Sequence, residues 1–325
     1  MKIRTLKSAL FLLCLFMISS GFMAGCGERR ESKEHNRLKI ITTLFPLYDF
    51  AKNIAGEKAD VTLILPPGVE PHSFEPKPKD ILKINSADIF IYTGRFMEPW
   101  AEHLIKGIEN KTLSIIDASS GIKFLTSEKG KHYHEGSHEG SKSAEPHHGN
   151  IDPHIWLDLS NVKIMIDNIL KGLIKKDPVN RDYYEKNAGT YRTKIVKLDE
   201  KFKKSLNLCK KRIIVHGGHF AFGYLARRYN LEYISAYSGS PNAEPTPKLV
   251  ASMKRLIQEK HIKYIFFEEL ITPRVANMLA EETGAGLLKL HGCHNISKEE
   301  MDRGVTFISL MEENLKNLKT GLECP

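Results

Sequence analysis

Histidine recurs in four separate segments of this chain, each of which also carries carboxylates, glycines or prolines. His72 lies in G-V-E-P-H-S-F-E-P, His154 in D-P-H-I-W-L-D, His219 in H-G-G-H-F-A-F-G-Y, and His291 with His294 in H-G-C-H-N. Neutral imidazole nitrogen is a good ligand for Zn²⁺ and also suits Cu, Ni and Fe. Histidines from distant segments therefore predict a metal site that the fold assembles.

A fifth segment, residues 131–149, holds five of the fourteen histidines among Gly, Ser, Lys and Glu. It has too few apolar residues to form a packed core, so we expect a disordered loop that collects metal ions. Residues 134–138 read H-E-G-S-H, which matches the H-E-x-x-H signature of metalloproteases. That signature needs a stable helix, and Gly136 and Gly140 oppose one, so we do not expect a protease.

The composition is that of a globular protein with ordinary hydrophobic cores. Hydrophobic residues make up 41% and charged residues 27% of the 325 residues, which favours two domains. The net charge is +9, but lysine and arginine alternate with acidic residues, and no basic run is interleaved with aromatic residues. We therefore expect no nucleic-acid partner.

The N-terminus has the pattern of a lipoprotein signal. Basic residues precede an apolar run that ends in M-A-G-C, the last residue being Cys26. We expect residues 1–26 to form the signal peptide, Cys26 to carry lipid, and residues 27–37 to tether the folded body to a membrane. An ordinary secretory signal is the alternative, and either kind of signal would export the protein. No later apolar segment is close to the length of about 18 residues that a membrane-spanning helix needs.

Three further cysteines, Cys209, Cys293 and Cys324, lie in the body of the chain. An exported protein allows one disulfide between them, with one thiol left over. The sequence does not choose the pair.

Short β-branched runs alternate with helix-period segments on both sides of a long helical segment. This alternation predicts an α/β fold of two (β/α) lobes with parallel sheets, at residues 38–175 and 208–325. The linker between them, residues 176–207, has apolar residues at three- and four-residue steps, and about 28 helical residues would form a rigid rod of roughly 40 Å. In such sheets ligands bind beyond the carboxyl ends of the strands. The predicted strands are 38–43, 61–65, 89–93, 113–117, 212–215, 233–236, 264–268 and 287–290.

These segments together resemble a known family over nearly the whole chain after the signal. The chain is similar to the zinc branch of the cluster A-I metal-binding family, the solute-binding proteins of bacterial metal ABC transporters. The matching pieces are G-V-E-P-H-S-F-E-P, the histidine-rich insert, D-P-H-I-W-L-D, H-F-A-F-G-Y-L-A-R-R-Y and the stretch from His291 to Asn314. The resemblance implies two lobes joined by a rigid backbone helix, with one metal ion in the cleft between them.

The resemblance also implies the ligands of that metal ion. The family's fourth ligand is commonly Asp or Glu, and in this chain His291 stands at the corresponding position. The predicted ligands are His72, His154, His219 and His291, and the alternatives for the fourth position are His294, Glu268 and water. So many imidazoles favour Zn²⁺ as the bound metal, because Mn²⁺ prefers more carboxylate oxygen.

A member of this family would capture Zn²⁺ outside the cytoplasm and deliver it to an ABC permease that is powered by an ATPase partner. Such a protein is not an enzyme, and we expect a monomer that is lipid-anchored to a membrane or periplasmic. The alternatives are a manganese- or iron-binding protein of the same transporter family and a metal-dependent surface adhesin. An exported metallohydrolase would additionally need an open coordination position and a neighbouring general base.

Overall fold

Two parallel four-stranded sheets form the framework of the protein in this computed structural model. The structure describes residues 37–126, 151–237, 245–270 and 272–325. The predicted signal peptide with Cys26 and the predicted histidine-rich loop lie outside the described residues. The predicted α/β fold with two parallel sheets is confirmed.

The first sheet and its helices come from the N-terminal part of the described chain. Their bounds are β1 (Leu38–Thr42), α1 (Phe45–Ala55), β2 (Ala59–Leu63), α2 (Pro78–Asn85), β3 (Ile89–Tyr92), α3 (Pro99–Gly107) and β4 (Ser114–Asp117). The strand order is β2-β1-β3-β4, and Ile40 lies opposite Val61 on one side and Ile89 on the other. All three helices have proline in the first turn, where its missing N–H has no helical partner to lose.

The connection between the two sheets is mostly helical. Its elements are the two-stranded antiparallel ribbon β5 (Leu125–Thr126) and β6 (Ile151–Asp152), then α4 (Leu159–Lys176) and α5 (Arg181–Leu206). A single 3₁₀ turn, Pro178–Asn180, precedes the 26 residues of α5. At 1.5 Å per residue α5 is about 39 Å long. No helix within the described ranges is both long and apolar enough to cross a membrane.

The second sheet and its helices complete the chain. Their bounds are β7 (Ile213–His219), α6 (Gly223–Arg228), β8 (Glu232–Tyr237), α7 (Pro247–Glu259), β9 (Tyr264–Phe267), α8 (Arg274–Thr283), β10 (Gly286–Lys289), α9 (Lys298–Asp302) and α10 (Phe307–Gly321). The strand order is β10-β9-β7-β8. All eight predicted strands are therefore present, with ends that differ from the prediction by a few residues.

Strand β7 differs most from its predicted bounds, because it runs four residues beyond Val215 to His219. The pairing with β8 shifts register between His216 and His219. Gly217 lies against α8, and a Cβ atom at this position would come within 2.5 Å of the Cβ of Ala276. The glycine therefore lets β7 continue under the helix and carry His219 to the end of the sheet.

One hydrophobic core joins the two sheets. It includes Ile91 of the first sheet, Phe266 of the second, Trp156 and Phe202 from the connection between them, and Phe307 of α10, all at most 1% exposed. Each buried side chain of this size contributes about 1.5–3 kcal/mol relative to an exposed one. The sheets are therefore packed as one body along α5, and moving them apart would expose this shared surface.

A buried ion cluster strengthens the same junction. Arg228 at the end of α6 lies 2.8 Å from Asp158, which caps α4, and its Nε donates to Asp199 of α5 at 2.7 Å. Tyr229 donates a further hydrogen bond to Asp199 at 3.0 Å. The pairing with two carboxylates raises the pKa of Arg228 and outweighs the opposing effect of its burial. Elements on either side of α5 are therefore linked by charge as well as by packing.

A disulfide joins Cys209, just after α5, to Cys324 at the end of the chain, and Cys293 is a free, buried thiol. The pair that the sequence left open is thus resolved by spatial proximity. The disulfide closes a loop with a sequence separation of 115 residues. Closing a loop of this length restricts the unfolded chain strongly.

We predict that replacing both Cys209 and Cys324 with serine lowers the free energy of unfolding by up to about 4–5 kcal/mol, because the unfolded chain regains its freedom. Urea denaturation of the purified variant would measure the loss. Leu208→Ser is the matched control, because Leu208 is adjacent but 61% exposed. An unchanged unfolding midpoint in the double variant would contradict the prediction.

Candidate metal centre

His72 is presented by a short 3₁₀ turn, Pro71–Ser73, in the loop that follows β2. The side chain of Glu70 caps this turn, because its Oε1 accepts a hydrogen bond from the backbone N–H of His72 at 3.1 Å. Proline fixes the backbone angle φ of the first residue of the turn. The half-buried imidazole is therefore held on a restricted loop at the carboxyl end of the first sheet.

His154 follows β6 and is 1% exposed. Oδ1 of Asp152 accepts a hydrogen bond from the backbone N–H of His154 at 3.0 Å and lies 2.8 Å from its Nδ1. A single carboxylate oxygen thus fixes both the backbone and the ring. The Nε2 atom of His154 is left to face the cleft.

His219 ends β7 and is also 1% exposed. Glu268, the residue after β9, accepts a hydrogen bond from the backbone N–H of His219 at 3.0 Å through Oε1, and its Oε2 contacts Nδ1 of the ring. Gly218 makes room for the carboxylate, because a Cβ atom there would overlap Oε1. The contact again leaves Nε2 to face the cleft.

His294 lies in the loop after β10 and is 1% exposed. Its Nδ1 lies 3.1 Å from Oε1 of Glu269, the residue after Glu268. Its Nε2 is buried and has no hydrogen-bond partner among the described residues. Three histidines therefore share one arrangement, with a buried carboxylate at Nδ1.

The four imidazoles converge on one point. Nε2 of His154 lies 3.1 Å from Nε2 of His72 and 3.2 Å from Nε2 of His219. His72, His219 and His294 each offer a nitrogen within 4.8 Å of the others. Zinc–nitrogen bonds of about 2.0–2.1 Å in a tetrahedron place the ligand atoms about 3.4 Å apart. The cluster is therefore close to the dimensions of a tetrahedral zinc site.

The structure does not bring His291 into this cluster. Nδ1 of His291 accepts a hydrogen bond from the backbone N–H of Cys293 at 2.9 Å and lies 3.3 Å from Glu269, while Nε2 faces Glu300 at 3.6 Å. Both ring nitrogens are thus directed at protein groups. Of the predicted ligands, His72, His154 and His219 come together, and His294 takes the place expected for His291.

Other residues of the same segments have supporting positions. His216, which lies in the interior of β7, is fully buried, and its Nδ1 lies 3.3 Å from the hydroxyl of Tyr233. Trp156 is also fully buried, and its Nε1 donates a hydrogen bond to the carbonyl of Gly292 at 2.8 Å. Sequence reasoning missed this bond and the contact of Asp152 with His154. The D-x-H spacing was the available signal for the second.

Comparison with known proteins identifies the family. The family described as the periplasmic zinc-uptake complex component A, ZnuA, matches residues 40–321. The chain belongs to the ZnuA family. One relative is the high-affinity zinc uptake system protein ZnuA of Bacillus subtilis, which is 35% identical over 314 residues that cover 95% of this chain and 97% of the relative.

Streptococcal relatives of the ZnuA family match as well. The zinc-binding lipoprotein AdcA of Streptococcus pneumoniae is 33% identical over 307 residues, and the match spans 94% of this chain but 60% of AdcA. The crystal structure of the Zn(II)-bound ZnuA-like domain of that species' AdcA has a TM-score of 0.74 and 32% identity, over 88% of this chain and 99% of that one. The fold of this chain is therefore that of a ZnuA-like domain.

The protonation of the ZnuA-like site is uneven. Burial lowers the pKa of His72 and His154 well below the ordinary value, and neighbouring imidazoles lower it further. Burial also acts to lower the pKa of His294, but the hydrogen bond and negative charge of Glu269 outweigh it and raise this pKa. At neutral pH, His72 and His154 are therefore ready to bind a cation, whereas His294 keeps a proton to higher pH.

We predict that zinc affinity falls as the pH drops through the raised pKa of His294, because zinc must then displace its proton. His72 and His154 add to the fall only at lower pH, since their pKa values are lowered. Glu269→Gln removes the charge that raises the pKa of His294 and should shift the first fall to lower pH. Competition titrations from about pH 8 to pH 5 would measure it. If zinc affinity began to fall at the same pH in the wild type and in Glu269→Gln, the assignment of this step to His294 would be refuted.

We predict that His294→Ala weakens zinc binding by more than about 100-fold. Losing a ligand should cost more affinity than losing an outer partner of a ligand, which costs about 10- to 100-fold. His291→Ala should weaken binding less and leave four nitrogen ligands on the metal. Calorimetry would give the affinities, and X-ray absorption would count the imidazoles. His291→Ala is the matched control, because both histidines contact Glu269. Loss of an imidazole in the His291 variant alone would reverse the assignment.

Proposed function

We propose that this protein captures Zn²⁺ outside the cytoplasm and delivers it to an ABC permease for import. The observation that carries the proposal is the convergence of four imidazoles at distances that suit one tetrahedral zinc ion. Zinc is the transported ligand of the site. The ZnuA family supplies the metal-binding component of a zinc-uptake complex, so the protein is not an enzyme.

We infer that the ligands are His72, His154, His219 and His294. The first three follow the predicted set. His294 replaces the predicted His291 because a ring nitrogen of His294 lies within 4.8 Å of those of His72 and His219. The ring of His291 is instead directed at the backbone of Cys293 and at Glu300. The fourth ligand of this chain is thus an imidazole, whereas the family commonly has a carboxylate as the fourth ligand.

The donor set supports zinc over manganese. Imidazole nitrogen suits zinc, and Mn²⁺ prefers carboxylate and water oxygen. Four neutral ligands leave the double charge of the ion uncompensated, and the buried carboxylates of Asp152, Glu268 and Glu269 lie directly behind three of the ligands. These carboxylates orient the rings. Glu268 and Glu269, whose pKa values lie below the ordinary value, supply the opposite charge, whereas burial raises the pKa of Asp152 to about 8.

We also propose a location and partners. Cys26 at the end of the M-A-G-C motif would carry a lipid anchor, and one relative, AdcA of S. pneumoniae, is named a lipoprotein. The body would act as a monomer in front of a permease and its ATPase. A protein anchored in this way stays close to the transporter, which raises the effective concentration of loaded protein there.

The proposal is tested by the metal that the protein binds and by the uptake that it supports. We expect one tightly bound zinc ion per chain by native mass spectrometry with elemental analysis, retained when residues 131–149 are deleted and lost in His154→Ala. A strain without the gene should grow poorly when zinc is scarce. Tighter binding of Mn²⁺ than of Zn²⁺, or unchanged zinc uptake in that strain, would contradict the proposal.

A further inference from the structure

The loop that carries His294 is fixed by hydrogen bonds at successive backbone groups. We call residues 291–296 the His294 loop. The side chain of Asn314 accepts from the N–H of His291 at 2.7 Å and donates to its carbonyl at 2.8 Å. Glu269 accepts from the N–H of Gly292 at 2.7 Å. These bonds anchor the first half of the loop to the second lobe.

The second half of the His294 loop contacts the first lobe. The carbonyl of His294 accepts a hydrogen bond from the N–H of Phe45 at 3.1 Å, and the carbonyl of Ile296 accepts one from Gly68 at 2.8 Å. Nδ2 of Asn295 donates to the carbonyls of both Pro66 and Val69 at 2.8 Å. The residue after one ligand, His294, is thus bonded to the loop that leads to another, His72.

Asn295 is suited to this contact by its burial and its chemistry. It is 0% exposed, and its Oδ1 accepts a hydrogen bond from the N–H of Ile296 at 2.9 Å. Both amide hydrogens and the carbonyl oxygen of the side chain are therefore used. The loop it holds contains Pro66 and Pro67, which have no N–H, so the loop can form few backbone hydrogen bonds of its own.

We propose that Asn295 is a positioning residue that couples His72 to His294, so that the two imidazoles approach and leave the metal ion together. This proposal rests on the proposed function. It gives Asn295 a role distinct from that of the carboxylates, each of which orients a single ring. Breaking the coupling would free the Pro66–Val69 loop and leave zinc held by fewer ligands for part of the time.

Asn295→Asp is the most direct test. The carboxylate would face two carbonyl oxygens in place of the amide that donates to them, so the loop should detach. We expect zinc affinity to fall by about 10- to 100-fold, the usual range for an outer partner of a metal ligand, mainly through faster dissociation. Asn295→Ala removes the same two donors without adding a charge and serves if the first variant does not fold.

Asn168→Asp is the matched control. Nδ2 of Asn168 also donates to two loop carbonyls, those of Ala118 at 3.1 Å and Ser120 at 2.9 Å, but it takes no part in the metal cluster. This variant should lose stability without losing zinc affinity. Thermal unfolding of both metal-free variants would show that a difference in affinity does not follow from a difference in stability.

Two readouts separate positioning from a general structural role. The visible spectrum of bound Co²⁺, a probe of ligand number and geometry, should change in the Asn295 variants and not in Asn168→Asp. In a His72→Ala background, Asn295→Asp should add little further loss of affinity, because the two changes act through the same ligand. An unchanged Co²⁺ spectrum, or additive losses, would overturn the coupling. Failure of the wild-type protein to bind zinc would instead overturn the proposed function.

Discussion

The two nitrogens of an imidazole ring decide whether several histidines can share one metal ion. Each ring can direct only one nitrogen at the ion, and the partner of the other nitrogen sets which one. Here buried carboxylates contact Nδ1 of three rings, through Asp152, Glu268 and Glu269. Nε2 of each ring then faces the cleft. The remaining features of the site, from the glycine beside Glu268 to the fixed backbone near His294, allow these contacts to form.

These contacts need a framework that keeps the two sheets in register. The core that runs along α5 and the ion cluster at Arg228 provide it, since both include residues on either side of the cleft. The hydrogen bond from Trp156 to the carbonyl of Gly292 adds a direct link between the His154 segment and the His294 loop. The distances between the clustered histidines of the two sheets are therefore set by packed side chains and buried hydrogen bonds.

The sequence predicted the fold well because the signals for it are local. Most strands are short apolar runs rich in β-branched or aromatic residues, and three of the four proposed ligands lie in motifs that follow a strand or end one. The fourth proposed ligand could not be chosen in this way. His291 and His294 lie in one loop, where Cys293 has a φ of 60° and turns the chain between them. Which ring joins the histidine cluster depends on contacts with distant residues, chiefly Asn314 and Glu269. Spacing along the chain carries no record of these contacts.

The disulfide and the end of β7 were unpredictable for the same reason. Cys209 and Cys324 are neighbours only because α5 and the C-terminal helix end side by side, and β7 continues because Gly217 passes beneath α8. In both cases tertiary contacts decided between local alternatives that the sequence left equal.

The shared core has a consequence for how a membrane receptor tells a loaded carrier from an empty one. A carrier whose lobes move apart differs in overall conformation between its loaded and empty states. In this protein, apolar contacts that span both sheets oppose such a movement. The difference between the loaded and the empty protein must then lie in the loops at the rim of the cleft. There the Pro66–Val69 loop reaches the surface, with Val69 36% exposed. The receptor would then distinguish the two states by its contacts with a few residues of this loop.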